Sequence, residues 1–306
     1  WLTLVTTGGH WGALAGHWPI AVAMALGSYF GASTPMGGGA VGFPVLVLLL
    51  DEPAAVGRDF SFAIQAVGMT TAALYLWASE RPVAWRLLGW ALATGAVVVP
   101  LASLWLLPHL PPLAVKLLFA VVWAGFGLVH LVRWREIEDL EGTGAHTPSR
   151  DRALGIALGV AGGLVTAITG VGINMLLYMV LVLLMRSDAR IAIPTSVIAM
   201  ASLSVVGVAT RLALGGLDAA VYLNWLAAVP IVILGAPFGA WMVQRLPRGL
   251  TLWIVSALCV GQFVWTCVHE GVRGATLALA LAGVLACVAL FEGLYRRGRG
   301  ALSASV

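Results

Sequence analysis

The sequence predicts an all-α polytopic membrane protein made of two inverted repeats, and three observations predict it. Of 306 residues, 60% are hydrophobic and only 10% charged, whereas a soluble domain carries roughly 25% charged residues to wet its surface. The apolar residues are gathered into runs long enough for a bilayer core of about 30 Å. A shift of 135 residues also lays the second half of the chain on the first without a gap. The net charge of +4 is spread over loops, as orientation in a membrane requires, and leaves no basic stripe for nucleic acid. Cys259, Cys267 and Cys287 lie in late apolar segments without CxxC spacing, so they read as small buried residues. No metal site or cofactor is expected. No basic segment precedes the first apolar run, so no cleaved leader is expected either.

The elements follow in order. Residues 1–17 are expected to lie outside the membrane. The runs 18–33, 37–50, 55–77, 83–107 and 112–134 form a first repeat over 18–134, each bounded by charge, proline or glycine. A charged stretch then reads RWREIEDLEGTGAHTPSRDR, and 135–151 is the expected cytoplasmic linker. The runs 153–169, 172–185, 189–212, 218–243 and 249–268 form a second repeat over 152–268. The run 274–294 has no twin, so 269–306 is an extra transmembrane helix with a basic cytoplasmic tail. The offset superposes Val45-Leu46-Val47-Leu48-Leu49 on the identical Val180-Leu181-Val182-Leu183-Leu184. Matches of polar and small residues weigh more: Thr34 on Thr169, Gly37 on Gly172, Ala54 on Ala189, Ser61 on Ser196 and Gly27 on Gly162.

Each repeat opens with a tract too long for one crossing. Residues 152–186 would make a helix about 52 Å long at 1.5 Å per residue. Its middle reads Thr166-Ala167-Ile168-Thr169-Gly170-Val171-Gly172, and the twin reads Gly31-Ala32-Ser33-Thr34-Pro35-Met36-Gly37-Gly38-Gly39, both helix-breaking. The tract is one kinked crossing or a pair of helices that return to one side. If it returns, the loops at 79–86, 133–152, 186–190, 245–248 and 296–299 share a side and hold 13 Lys and Arg, against four (Arg58, Lys116, Arg211, Arg273) on the other. A single crossing gives 9 against 8, which is no bias. The positive-inside rule therefore selects the returning pair, an external N-terminus and a cytoplasmic C-terminus. Three full crossings follow each pair, so the second repeat enters inverted, the symmetry of many secondary transporters.

Matching breaks in inverted repeats point to a binding site, because broken backbone persists in a membrane only inside protein or along a cavity. The first break offers Thr34, Gly37, Gly38 and Gly39 as an anion cradle of free amides at a helix start. The second offers Thr169, Gly170, Gly172 and Asn174. The following helices bring Ser61 and Gln65, or Thr195 and Ser196. The competing reading for these hydroxyls is a bond back to their own helix. Gly155, Gly159 and Gly163, like Gly235 and Gly239, read as close-packing positions. Arg58, Asp59 and Arg211 read as interfacial anchors near the outer mouth, and His130 as a side chain snorkelling to the cytoplasmic end of its helix. With no fixed cation in the middle, the site would hold an anion weakly and reversibly.

Gly37-Gly38-Gly39 with Pro44 beyond, a leucine-rich run, and a small-residue helix carrying Thr195-Ser196 together resemble the sulfite exporter TauE/SafE family. The resemblance spans about 18–294 and implies a bacterial inner-membrane, multi-pass carrier of sulfite, sulfonates or related sulfur-containing anions, not an enzyme. Two departures touch the presumed site. The second repeat has Gly170-Val171-Gly172-Ile173-Asn174 where a further glycine pair is typical, and the first has Phe60-Ser61 in place of a Thr-Ser pair. The expected partners are the bilayer and a small anion, with a coupled proton as one option for the driving force. No P-loop is present for ATP. A passive anion channel shares the broken helices. A serine hydrolase built on Ser33 is the weaker alternative, because Thr34 stands where a glycine would follow the nucleophile.

Overall fold

A computed structural model describes residues 1–34, 36–138, 140, 142–242 and 248–303. Pro35 of the first break, Asp139 and Glu141 of the linker, Arg245 of the 245–248 loop and the last three residues lie outside them. All regular structure among the described residues is helical. Two short helices, α1 (Leu2–Thr7) and α2 (Trp11–Gly16), precede α3 (Trp18–Ser33) and α4 (Gly39–Pro44). Then come α5 (Ala54–Ala78), α6 (Trp85–Leu101) and α7 (Pro112–Glu138). The second half holds α8 (Pro148–Thr169), α9 (Ile173–Met179), α10 (Ala189–Ala213), α11 (Ala219–Met242) and α12 (Arg248–His269), and α13 (Gly274–Ser303) ends the chain. Eight of these helices are long and apolar enough to cross a membrane. The predicted runs agree closely with the helices. The largest difference is at α13, which runs on to Ser303 where a tail is expected after 294, followed by the linker, where α7 runs on to Glu138 and α8 starts early. Thr147 accepts a bond from the Arg150 N–H and Pro148 sits in the first turn, both N-terminal signals that extend a helix beyond its apolar part.

The 135-residue offset reappears in the backbone. α5 and α10 occupy the same 25 positions of the two halves, and α4 and α9 both run into π-helical turns, Val45–Leu49 and Val180–Leu184. Asp51 and Arg186, which also correspond, both take a positive φ, 55° and 59°. Packing is exchanged between halves: α3 lies on α11 and α8 on α6, while α5 packs on α10 and α7 on α12. Small residues permit this closeness. A Cβ added to Gly155, Gly159 or Gly163 would strike Trp90, Thr94 or Val98 of α6, and one on Gly239 would lie 2.5 Å from the Tyr29 carbonyl on α3. These glycines are the packing positions that the sequence suggested.

Both opening tracts double back. Gly31 packs on the Gly38 amide, Gly27 on Val41 and Gly42 on Met24, an antiparallel order along α3 and α4. In the second half, Ile173 N–H donates to Thr166 Oγ1 at 3.0 Å and Gly162 packs on Ile173. The returning legs, Gly39–Leu49 and Ile173–Leu184, have 11 and 12 residues, about 16–18 Å at 1.5 Å per residue. That is little more than half of a bilayer core of about 30 Å. The periphery is apolar, with Trp77, Trp105, Leu234, Val268 and Leu279 strongly exposed, as a lipid-facing surface requires. The interior is filled by stacks such as Phe43–Phe119–Trp123, with centroids 4.6 and 4.3 Å apart.

Candidate functional site

The two breaks meet against α5. A Cβ built on Gly37, whose φ is +75°, would lie 2.5 Å from Gln65 Oε1 and 2.8 Å from Asn174 Nδ2. One built on Gly39 would lie 2.5 Å from Gln65 Nε2 and 2.5 Å from Val171. On the other side Gly170, at φ +82°, packs on Ser61 and on the Arg58 carbonyl. A glycine is needed at Gly37 and Gly170 for conformation and for space alike. At Gly39 the need is for space alone. Gly38 differs: a Cβ there would meet only Met24 and Gly27 of α3, at 3.4 and 3.5 Å.

Polar side chains around the junction are held firmly. Gln65 Nε2 donates to the carbonyls of Ser61 (2.9 Å) and Gly170 (3.1 Å), tying α5 to the second break. Asn174 Oδ1 accepts from the Gly172 N–H at 3.3 Å. These bonds fix which end of each amide is nitrogen. They leave Gln65 Oε1 and Asn174 Nδ2 buried without a partner. Thr34 Oγ1 donates to the Phe30 carbonyl (2.6 Å) and accepts from Met36 N–H (3.4 Å). Thr169 Oγ1 contacts the carbonyls of Val165 (2.9 Å) and Val171 (2.6 Å). Both threonines therefore close the broken ends. The second break satisfies its own amides, since Val171, Gly172 and Ile173 donate to Thr169, Asn174 and Thr166. Among the described residues, the N–H groups of Gly37, Gly38 and Gly39 have no such acceptor. Unused donors are thus concentrated on the first break and on Asn174.

The remaining predicted residues are less central. Ser61 Oγ donates to Gly57 O at 2.7 Å, although its Cβ touches Gly39 and Gly170. Ser196 bonds back to Ile193, and Thr195 bonds back to Ile191 while accepting from the Ala84 N–H at 3.0 Å. No hydrogen bond joins Thr195 or Ser196 to Gln65 or Asn174, and Thr195 anchors the turn before α6. Beside the junction lies a small cavity of about 10 Å³ lined by Met24, Ser28, Gly31, Gln65, Gly68 and Val232 among others, room for about one water. Ser28, Gly31 and Gly68 were not singled out from the sequence. Their spacing on one face with Gly27 or with Ser61 and Gln65 was the available signal.

Two expectations are corrected. Arg58, Asp59 and Arg211 are not separate interfacial anchors. Arg58 Nε and Arg211 Nε reach the two oxygens of Asp59 at 2.7 and 3.0 Å, and Arg58 and Asp59 are buried to 5% and 4% exposure. A charge taken out of water must find a partner, and here the triad joins α5 to α10 with a net charge of +1. Arg58 stands seven residues before Gln65 on the same face of α5, about 10 Å along the helix. His130 does not snorkel. Its ring is fully buried, with Nδ1 3.0 Å from the Phe126 carbonyl and Nε2 unpartnered, stacked on Phe126 and Tyr178. The three cysteines are free, and only Cys259 is fully buried.

Apolar spans, two helix pairs broken inside the bundle and a buried polar junction between them define a multi-pass membrane protein of transporter type. The model of the sulfite exporter TauE/SafE family matches residues 20–266, and the chain belongs to that family of membrane transporters. The match ends before α13. Comparison with curated proteins and with solved structures gives no match.

Proposed function

We propose that this protein is a secondary transporter that carries a small sulfur-containing anion, such as sulfite or a sulfonate, by alternating access. The observation that carries the reading is the meeting of the two breaks at Gly37, where Asn174 Nδ2, a buried donor without a protein partner, lies against the glycine run. An anion bound by neutral dipoles rather than by a salt bridge can leave again, which turnover requires. The net positive triad lies toward one end of α5 and draws anions to the junction without touching them.

The two halves are read as inverted repeats over 18–134 and 152–268, with 1–17 external, 135–151 cytoplasmic, and 269–306 an added helix and tail. Exchange of packing between halves supports this, because it lets one half rock on the other about the α5–α10 contact. The arginine bias supports an external N-terminus and a cytoplasmic C-terminus in a bacterial inner membrane. Thr34, Gly37, Gly38, Gly39, Ser61, Gln65, Thr169, Gly170, Gly172, Asn174, Thr195 and Ser196 remain the proposed binding shell, with Gly37, Gly39, Gln65, Gly170 and Asn174 at its centre. A coupled proton is one option for the driving force, and no residue is assigned to carry it. Purified protein screened by thermal shift against sulfite, thiosulfate, sulfonates and carboxylates tests the substrate class. Stabilisation by sulfur oxyanions is expected. Stabilisation by carboxylates alone would overturn that assignment. Sulfite counterflow unaffected by an imposed pH gradient would count against the proton.

A further inference from the structure

A second concentration of unsatisfied polar groups lies at the C-terminal end of α7. Arg133 of α7 donates to Glu136 and to Glu292 of α13, both at 2.9 Å. Its guanidinium lies 4.3 Å from the Tyr295 ring centroid, and that of Arg186, in the turn after the second returning leg, 5.4 Å from it. The Tyr295 hydroxyl bonds to Glu136, and Arg296 pairs with Glu292 at 3.0 Å. Arg133, Glu292, Tyr295, Arg296, Arg299 and Gly300 line a cleft of about 420 Å³ between α7 and α13.

The arginines here exceed the carboxylates. Arg133, Arg296 and Arg299 line the cleft and Arg186 lies beside its Tyr295 ring, against Glu136 and Glu292, an excess of two positive charges among these described residues. Arg186 Nε and Nη1 and Arg133 Nε are shielded from water and have no hydrogen-bond partner. Burial lowers the affinity of Arg186 for its proton; Glu136 opposes this and the nearby Arg299 charge adds to it. Buried guanidinium donors left unpaired cost free energy that only an acceptor can return. α13 supplies five of the six lining residues, and it lies beyond the family match at 20–266. On the face that carries the cleft residues its shaft exposes Leu281 and Leu285, an apolar surface that leads up to the basic end.

We infer that the cleft lined by Arg133, Arg296 and Arg299, with Arg186 beside its Tyr295 ring, binds the phosphate of an anionic membrane lipid, whose acyl chains lie along α13. The planar forks of arginine match phosphate oxygens, and basic pockets between helices at a membrane face suit such headgroups. A bound lipid would fasten α13 to α7 and to the Arg186 turn of the second half. The inference does not depend on the transported substrate.

Dioctanoyl phosphatidylglycerol, dioctanoyl phosphatidylcholine and inorganic phosphate, each titrated into the purified full chain in detergent, separate the possibilities by thermal shift and native mass spectrometry. Phosphatidylglycerol is expected to bind and stabilise, phosphatidylcholine to do neither, and inorganic phosphate to shift the protein little. Loss of one charge-assisted contact, as in Arg186→Gln, should weaken phosphatidylglycerol about tenfold or more. Arg299→Gln, at an exposed position where the fold is not at stake, should weaken it in the same direction. Equal binding of the two lipids, unchanged affinity in both variants, or inorganic phosphate as effective as the anionic lipid would each overturn the assignment.

Discussion

Substitution of the glycine triplet by alanine, one position at a time, separates a shaped site from a merely flexible break. At Gly37 the φ of +75° costs an L-residue about 1–2 kcal/mol. The new methyl would also lie 2.5 Å from Gln65 Oε1 and 2.8 Å from Asn174 Nδ2, so at least one of these side chains must move. Gln65 is held by bonds to Ser61 and Gly170 and Asn174 by one to Gly172, each worth about 1 kcal/mol net. The sum is about 2–4 kcal/mol of stability, together with loss of the free donor on Asn174. Gly38→Ala should cost well under 1 kcal/mol in excess of this background, since its helical φ of −64° suits alanine and its nearest neighbours lie at contact distance. Thermal unfolding in detergent and anion flux in proteoliposomes are the assays. Gly37→Ala should lose both stability and flux, while Gly38→Ala keeps both. Equal damage at the two positions, or none at Gly37, would refute the reasoning.

Other outcomes follow from the same geometry. Asn174→Asp keeps the shape and the bond from Gly172 but places a carboxylate where a donor stood, so anion binding should fall at least tenfold while the protein stays folded; intact binding by thermal shift would count against the site. Asp59→Asn leaves Arg58 and Arg211 buried with a weakened partner and should cost about 3–5 kcal/mol, measured by denaturation; a neutral result would mean that the triad is hydrated. Gly159→Leu should drive α8 from α6, because even a Cβ would lie 2.6 Å from Thr94 and 2.7 Å from the Ala91 carbonyl; wild-type stability would exclude that packing. For Glu270, burial favours the neutral form, but Lys116 at 2.6 Å and His269 outweigh it and hold the carboxyl below its ordinary 4.5. A lowered carboxylate stabilises above its unfolded pKa and ceases to as pH falls through the folded value. Lys116→Met should therefore flatten stability against pH below about 4.5, and an unchanged profile would remove the pair's role.

The spans were readable because hydrophobic runs and charged turns are local, and lipid leaves little freedom in their placement. Helix ends set by caps, such as Thr147 and Pro148, extended elements past their apolar limits. The repeat and its breaks were readable because both copies carry the same signals at one offset. What the site contains was not readable to the same degree. Gln65 and Asn174 are not counterparts under the 135-residue shift, so symmetry gave no reason to pair them. Thr195 carries the same hydroxyl chemistry as Thr34, yet the turn at Ala84 takes its acceptor capacity. The pairing of Arg211 with Asp59 was not readable, because α5 and α10 bring together residues 152 positions apart. Tertiary packing decided each of these, and periodicity carries no record of it.

The most direct measurement of the central claim is counterflow of radiolabelled sulfite in proteoliposomes with wild-type protein, Gly37→Ala and Gly38→Ala. Exchange by alternating access through the junction predicts transient accumulation with wild type and Gly38→Ala and none with Gly37→Ala. Simple equilibration without accumulation by the wild type, or undiminished counterflow by Gly37→Ala, would contradict it.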